Sequence, residues 1–223
     1  MRYFGVSLGS LLLSASAYAQ SKGMWGGAGW FMGGYTIIRG YEGFSKTLQD
    51  AGLSYPSTAT AFTVGGGGGS YLGRLFLGGQ GEFIFGDRLT GGSGVFLLGS
   101  PLRIKEQFIF LPALGVGGGG YTFQLEGRPS SASFQQAVSS PGILPRELST
   151  GGAIGEVVLS FQYLFRKGPL VGLQLGYLRA LGSMKEWDSG GLKLNEGPSI
   201  TPERFFARLS FGAGGIVTPT TSE

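Results

Sequence analysis

Runs of glycine interrupt segments that otherwise have the pattern of β-strands. Glycine accounts for 45 of the 223 residues. Residues 65–69 are consecutive glycines that follow an alternating run ending at Val64, and residues 117–120 are consecutive glycines between apolar stretches. Glycine inside a strand often marks a bend, a bulge or a close approach of two backbones. Glycine bends with aromatic flanks therefore predict a small closed β-barrel, in which curvature must be built into the strands.

Strand-like segments recur along the chain between turn-rich, polar stretches. Eight are predicted, at about residues 24–36, 57–71, 74–85, 92–102, 107–123, 152–166, 170–181 and 202–217. One short helix is predicted over 42–51, where Phe44 and Leu48 are four residues apart and Gly52 is placed as a C-cap. The pattern predicts an all-β fold, a closed antiparallel barrel of about eight strands.

The predicted strands have one apolar face and one mixed face, because successive side chains in a strand point to opposite sides. In the last strand, Phe205, Leu209 and Phe211 share one face, whereas Arg204 and Arg208 share the other. Five charged residues fall on the mixed faces of the predicted strands: Arg74, Glu82, Glu156, Arg204 and Arg208.

These five charges are the candidate site of the barrel interior. The interior of an eight-stranded barrel is just wide enough for side chains to fill it. Charges placed there must be paired, because an unpaired buried charge is very costly. The pattern predicts a polar network that seals the lumen, and the alternative is a gated narrow conduit for ions or small solutes.

The N-terminal residues have the pattern of a secretory signal peptide. Arg2 precedes an apolar stretch over residues 4–13, and Ala17-Tyr18-Ala19 fits the small-residue cleavage pattern. We therefore expect residues 1–19 to be removed and residues 20–223 to form one exported domain. The apolar stretch is shorter than the roughly 20 residues of a membrane helix.

The connections between the predicted strands alternate between short turns and longer loops. Short turns occur near residues 72–73, 103–106 and 167–169, and the longest loop covers residues 124–151. This alternation is typical of outer-membrane barrels, in which the turns face the periplasm. Only 13% of the residues are charged, as expected if much of the outer surface faces lipid.

With its signal peptide, its strand alternation and its loop asymmetry, nearly the whole mature chain resembles the small eight-stranded outer-membrane β-barrel proteins of Gram-negative-type bacteria. The resemblance implies location in the outer membrane, contact with membrane lipid and lipopolysaccharide, and biogenesis through periplasmic chaperones and the barrel-assembly machinery. Many such barrels end on an aromatic residue, whereas here residues 212–223 follow Phe211 and end at Glu223.

Several functional classes are disfavoured by residue content. The chain has no His and no Cys, which excludes His-dependent triads and thiolate metal sites. Residues 115–120 formally match a glycine-rich nucleotide motif, but a strand rather than a helix follows. The scattered basic residues form no nucleic-acid footprint. We expect no enzyme activity, no cofactor and no bound metal.

The function is therefore expected to reside in the outer loops. Trp187 lies between charged residues in the last long loop and is a candidate contact for a surface partner. The other expectation is that Trp187 packs back on the barrel rim, as amphipathic aromatic side chains do. The expected role is a structural or surface-interaction function. The alternatives are a narrow channel for ions or apolar solutes and a soluble, secreted, lipocalin-like ligand-binding barrel, which would have its charged face in water.

Overall fold

The computed structural model describes residues 23–50, 54–105, 107–125, 147–166, 168–190, 192–194 and 197–217. It contains one helix, α1 (Glu42–Asp50), and eleven strands. The strands are β1 (Met24–Arg39), β2 (Ala59–Gly73), β3 (Leu75–Phe85), β4 (Leu89–Gly99), β5 (Leu102–Lys105), β6 (Phe108–Gln124), β7 (Glu147–Leu164), β8 (Pro169–Ala180), β9 (Trp187–Ser189), β10 (Leu192–Leu194) and β11 (Glu203–Val217). The predicted signal peptide, residues 1–19, lies outside the described residues.

Eight of these strands form a closed antiparallel barrel. Its order is β1, β2, β3, β4, β6, β7, β8 and β11, and β11 returns to pair with β1. The closing pair is long, with Trp25 opposite Val217 at one end and Arg39 opposite Glu203 at the other. Closure leaves none of the eight strands with a free edge, which is how barrels avoid edge-to-edge association. The predicted fold is confirmed.

The two ends of the barrel differ in their connections. At one end, here called the turn end, short segments join β2 to β3, β4 to β6 and β7 to β8, and β1 begins and β11 ends there. The opposite end, here called the loop end, carries α1 between β1 and β2 and the β9–β10 hairpin between β8 and β11. β9 pairs with β7 at Ser149 and Thr150, so it extends the wall beyond the end of β8. Among the described residues, no helix is long and apolar enough to cross a membrane.

The outward faces of the barrel strands form an apolar surface. Phe31 is 80% exposed and Phe83 is 65% exposed. Further exposed apolar side chains encircle the barrel: Trp25, Tyr35, Phe62, Leu72, Leu75, Phe96, Leu98, Phe108, Leu114, Val116, Phe161, Leu173, Leu175, Phe205, Leu209 and Phe211. The charged residues of the barrel strands that do not point into the lumen all lie at the loop end: Arg39, Glu147, Arg179 and Glu203. The apolar band between the two ends is therefore free of charge.

Glycine makes room in the narrow interior for large side chains. A Cβ on Gly176 would lie 2.2 Å from Cζ of Phe206, and one on Gly69 would lie 2.5 Å from Cζ of Phe76. Trp30 occupies the space beside Gly67, where a Cβ would come within 3.0 Å of its Nε1. The glycines of the inward faces therefore allow aromatic side chains to fill the lumen.

Candidate functional site

A layer of charged side chains crosses the lumen, and Glu82 of β3 is at its centre. The Glu82 carboxylate contacts two guanidinium groups of β11: Oε1 pairs with Nη2 of Arg204, and Oε2 lies 2.6 Å from Nη2 of Arg208. Ser93, directly opposite Glu82 on β4, donates its hydroxyl to Oε1 at 3.0 Å. Arg204 is 0% exposed and Arg208 is 1% exposed, so this carboxylate holds two fully buried cations.

Glu156 of β7 completes this polar layer from the opposite wall. Its Oε1 lies 3.9 Å from Nη1 of Arg208 and accepts a hydrogen bond from Nε2 of Gln80 at 2.5 Å. The Arg208 guanidinium also lies 3.6 Å from the ring centroid of Phe206, a cation–π contact. Two carboxylates thus face two guanidinium groups, and the buried charges balance.

The fifth predicted member of the network, Arg74, does not point into the lumen, and this part of the prediction is wrong. Arg74 is the single residue between β2 and β3, and its side chain is exposed. The strand alternation places every second residue inward only while the strand remains in the wall. Gly73, with φ of +69°, ends β2 and reverses the chain. Arg74 therefore lies in the turn, where the alternation of the strand no longer applies.

A second polar group lies nearer the turn end. The Tyr71 hydroxyl donates to Oε1 of Gln162 at 2.9 Å, and Nε2 of Gln162 donates to the Ser160 hydroxyl at 3.1 Å. The Tyr71 ring packs 5.1 Å from that of Phe76, which in turn lies 6.2 Å from Trp30. These side chains fill the lumen between the polar layer and the turn end.

Five aromatic side chains close the loop end of the lumen. This aromatic cap consists of Tyr41, Phe44, Tyr55, Phe123 and Trp187. Phe44, on α1, is at its centre: its ring lies 4.6 Å from Phe123 and stacks on Trp187 at 4.9 Å with an interplanar angle of 12°. All five side chains are buried, so α1 is held across the mouth of the barrel.

Hydrogen bonds fix the cap to the surrounding loops. The Tyr55 hydroxyl donates to the Arg88 carbonyl at 2.6 Å, and its own carbonyl accepts from Ser45 on α1 at 2.5 Å. Arg88 donates to the carbonyls of Ser54 and Leu125 at 2.9 and 3.1 Å. Burial raises the pKa of Tyr55 to about 12, despite the opposing effect of Arg88, and burial also raises the pKa of Tyr41. Both phenols are therefore neutral at physiological pH.

Trp187 belongs to this cap, so the expectation that it packs back on the barrel rim is confirmed, and the alternative that it is an exposed contact for a partner is wrong. Its side chain is 2% exposed, and its Nε1 donates to the Pro198 carbonyl at 2.8 Å. In β9 the alternation turns Trp187 toward Phe44 and Phe123, and the ring buries more apolar area there than it would in solvent.

Beside the cap, the β9–β10 hairpin and the ends of β6 and β7 form a polar cleft of about 720 Å³. Hydroxyl groups and charges of both signs line it, among them Thr122, Ser149, Lys185, Glu186 and Lys193. The Thr122 and Ser149 hydroxyls are hydrogen-bonded to each other at 2.9 Å, and Thr150 donates to the Glu186 carbonyl at 2.8 Å. No group of potential metal ligands occurs among the described residues.

Sequence reasoning missed several members of these clusters. Gln80 and Gln162 lie on the inward faces of correctly predicted strands. Each is an even number of residues from Glu82 or Glu156, so strand alternation alone places it on the same face. Ser93 has no such signal, because its contact depends on the register between β3 and β4. The contribution of α1 to the cap also depends on how the loops fold over the mouth.

Comparison with solved structures identifies the same architecture in Neisserial surface protein A. Neisserial surface protein A superposes with a TM-score of 0.51 at 10% identity, covering 84% of this chain and 97% of that one. Ail of Yersinia pestis gives 0.44 at 12% identity over 87% of this chain and 100% of that one. The N-terminal barrel of Pseudomonas aeruginosa OprF gives 0.40 at 11% identity over 85% of this chain and 99% of that one.

The chain is thus a small eight-stranded β-barrel that resembles bacterial outer-membrane proteins, and the likeness to Neisserial surface protein A is one of fold. The predicted resemblance is confirmed at that level. No protein-family model and no curated protein match the sequence.

Proposed function

We propose that this protein is an integral outer-membrane barrel with a closed lumen and a non-enzymatic role exercised at its loop end. The observation that carries the proposal is the inverted distribution of polarity between the two ends of the barrel: there the charged side chains of the strands point into the lumen, and the outward side chains are apolar. Soluble proteins rarely expose contiguous apolar patches above a few hundred Å². A closed barrel satisfies every backbone group internally, as the interior of a bilayer requires. The distribution disfavours a lipocalin-like soluble barrel.

Strand length and chain direction support this placement. A tilted membrane strand needs about 9–11 residues, and the shortest barrel strands, β3 and β4, have 11 each. β1 begins and β11 ends at the turn end. The end with the short turns faces the periplasm in outer-membrane barrels. The loop end, with α1 and the β9–β10 hairpin, then faces the outside of the cell.

The packing of the lumen supports a barrel that does not conduct. The aromatic cap, the polar layer and the group around Tyr71 succeed one another along the lumen, and each contains fully buried side chains. Both carboxylates of the polar layer are engaged by arginine and by hydrogen bonds, which leaves them poorly placed as general acids or bases. A channel would give unitary conductance steps in planar bilayers. Because the lumen is filled by buried side chains, we expect no such steps.

The loop end offers the surface for contact with other molecules. The exposed side of α1 carries Lys46 and Gln49, and the polar cleft lies beside it between the β9–β10 hairpin and β7. Its mixture of hydroxyls, ammonium groups and carboxylates suits polar headgroups and sugars, so we propose that it meets lipopolysaccharide or surface ligands.

Membrane fractionation and cysteine labelling of intact cells test the proposal. The protein should be recovered in the outer-membrane fraction and be extracted only by detergent. Because the chain has no cysteine, a Lys46→Cys variant should react with a membrane-impermeant maleimide on intact cells. The matched Arg74→Cys variant, at the turn end, should react only after lysis. Recovery in the soluble fraction, or labelling of Arg74→Cys alone on intact cells, would overturn the membrane placement or the orientation.

A further inference from the structure

Among the residues that the structure describes, the turn end of the barrel carries charge of one sign. Its described charged residues are all basic, and we call them the basic rim: Arg74, Arg103, Lys105 and Arg166. Glu106 and Lys167 belong to the same turns and lie outside the described residues. The loop end differs, because acidic residues such as Glu42 and Glu203 are mixed there with basic ones such as Arg39.

Short connections hold these basic groups next to the apolar band. Arg74 is flanked on either side by strand residues, and its neighbours Leu72 and Leu75 are both exposed apolar side chains of the barrel wall. Lys105 pairs with Phe108 in the ladder between β5 and β6. These cations therefore cannot extend far from the wall.

Arg166 is held in the same way at the turn between β7 and β8. It follows the exposed Phe165, whose amide donates to the Pro169 carbonyl at 2.9 Å. Gly168 in turn donates to the Phe165 carbonyl at 3.0 Å, which closes the turn, and the Gly168 carbonyl accepts from Gly214 of β11 at 2.8 Å, which holds the turn against the neighbouring strand. Arg74, Lys105 and Arg166 are all exposed, and thus able to reach a neighbouring molecule.

We propose that the basic rim binds the phosphates of anionic phospholipids, such as phosphatidylglycerol, in the leaflet at the turn end. Arginine pairs with phosphate through parallel hydrogen bonds, and basic residues beside a membrane are attracted to anionic headgroups. A bilayer whose apolar core covers the exposed band places its phosphates at the level where that band ends, which is the level of the rim. The rim thus selects the lipid that surrounds one end of the barrel. This inference rests on the proposed membrane placement.

Trp25 provides a local reporter of the lipid at the turn end. It is 52% exposed at the start of β1, whereas Trp30 and Trp187 are buried in the lumen and in the cap. The full chain is reconstituted in vesicles of phosphatidylcholine with a fixed minor fraction of phosphatidylglycerol. In one preparation the phosphatidylglycerol carries brominated acyl chains, and in the other an equal fraction of phosphatidylcholine does. Bromine quenches tryptophan only on contact.

Brominated phosphatidylglycerol should quench Trp25 about twofold more than the same fraction of brominated phosphatidylcholine, because basic residues enrich anionic lipid beside them. The excess should shrink in high salt, which screens exposed charges. The combined Arg74→Gln, Lys105→Gln and Arg166→Gln variant should lose it. The matched loop-end variant Arg39→Gln, Lys46→Gln and Arg179→Gln should retain it. If the combined variant fails to insert, Arg74→Gln alone should reduce the excess.

Two outcomes would overturn the inference, and they are distinguishable. Equal quenching by both brominated lipids in the parent protein would show that the rim does not select anionic lipid, while the membrane placement stands. Absence of quenching by either lipid, with Trp25 still fluorescent, would show that the wall does not contact lipid, and the proposed function itself would fail.

Discussion

At the scale of single residues, the interior depends on Glu82 more than on any other side chain of the polar layer. Glu82 engages both arginines of β11, whereas Glu156 lies 3.9 Å from only one of them. Removing one partner of a buried ion pair leaves an uncompensated charge, which is far more costly than the pair is favourable. The stability of the barrel should therefore be sensitive to the charge on Glu82.

We expect Glu82→Gln to lower the free energy of unfolding by about 3–5 kcal/mol, because the nearly isosteric amide leaves Arg204 and Arg208 with one carboxylate between them. Urea unfolding in phospholipid bilayers measures the change. Lys46→Gln, which neutralises an exposed residue of α1, should stay within about 0.5 kcal/mol of the parent. Equal losses in the two variants would mean that the buried charges contribute no more than a surface charge.

The glycines of the inward faces can be tested in the same assay. Gly176→Ala places a Cβ 2.2 Å from Cζ of Phe206 and 2.6 Å from the Val157 carbonyl oxygen. We expect a loss of about 1–3 kcal/mol, the usual cost of overpacking. Gly94 is also in a strand, but a Cβ there meets nothing within 4 Å, so Gly94→Ala should be nearly neutral. If both substitutions are neutral, the glycine runs do not serve to accommodate large side chains.

The sequence predicts whether a side chain points inward or outward only where the residue lies in a regular strand. Parity along a strand gave the inward faces of Glu82, Glu156, Arg204 and Arg208, because side-chain direction is a local property. It failed at Arg74, where the strand gives way to a turn. The pairing of Glu82 with Arg204 joins residues 122 apart in sequence, and no local pattern contains that register.

At the scale of elements, the loop end is organised by one short helix. α1 has an apolar side formed by Phe44 and Leu48 and a polar side that includes Lys46, and its apolar side packs against the cap. An isolated helix of nine residues is marginal in water. Packing on Phe123 and Trp187 therefore stabilises α1, and α1 in turn covers the lumen.

Phe44→Ala should lower the free energy of unfolding by about 3–5 kcal/mol, because it removes the ring that contacts Tyr55, Phe123 and Trp187. Limited proteolysis should then cleave the β1–β2 connection faster than in the parent. Lys46→Ala, on the exposed side of the same helix, should change neither property. An unchanged cleavage rate for Phe44→Ala would show that the cap does not hold α1 in place.

Elements with a strong local signal were predicted well. The eight barrel strands and α1 lie within a few residues of their predicted positions, because each combines a regular period with flanking turn residues. β5, β9 and β10 were not predicted. Each has only three or four residues and forms by pairing rather than through its own sequence: β5 pairs with β6, β9 with β7, and β10 with β9.

At the scale of the whole molecule, three zones of charge are stacked along the barrel axis. The basic rim lies at the turn end, a balanced set of buried charges lies inside the wall, and side chains of both signs lie at the loop end. Between the ends, the outer surface has no charge. A barrel with this arrangement is matched to a bilayer in height and polarity, and its two ends meet different surroundings.

The apolar band predicts a depth-dependent cost for a charge placed on the outer wall. Phe161→Arg should lower the stability of the inserted barrel by about 2–4 kcal/mol, because Phe161 is level with Leu173 and Leu209 near mid-depth. Phe165→Arg, at the turn end, should cost only about 0–1 kcal/mol. The control is matched, since each phenylalanine is 45% exposed and contacts one neighbouring ring, at 4.9 and 4.7 Å. Urea titration in bilayers measures both variants, and equal costs at the two depths would show that the wall does not lie in the bilayer.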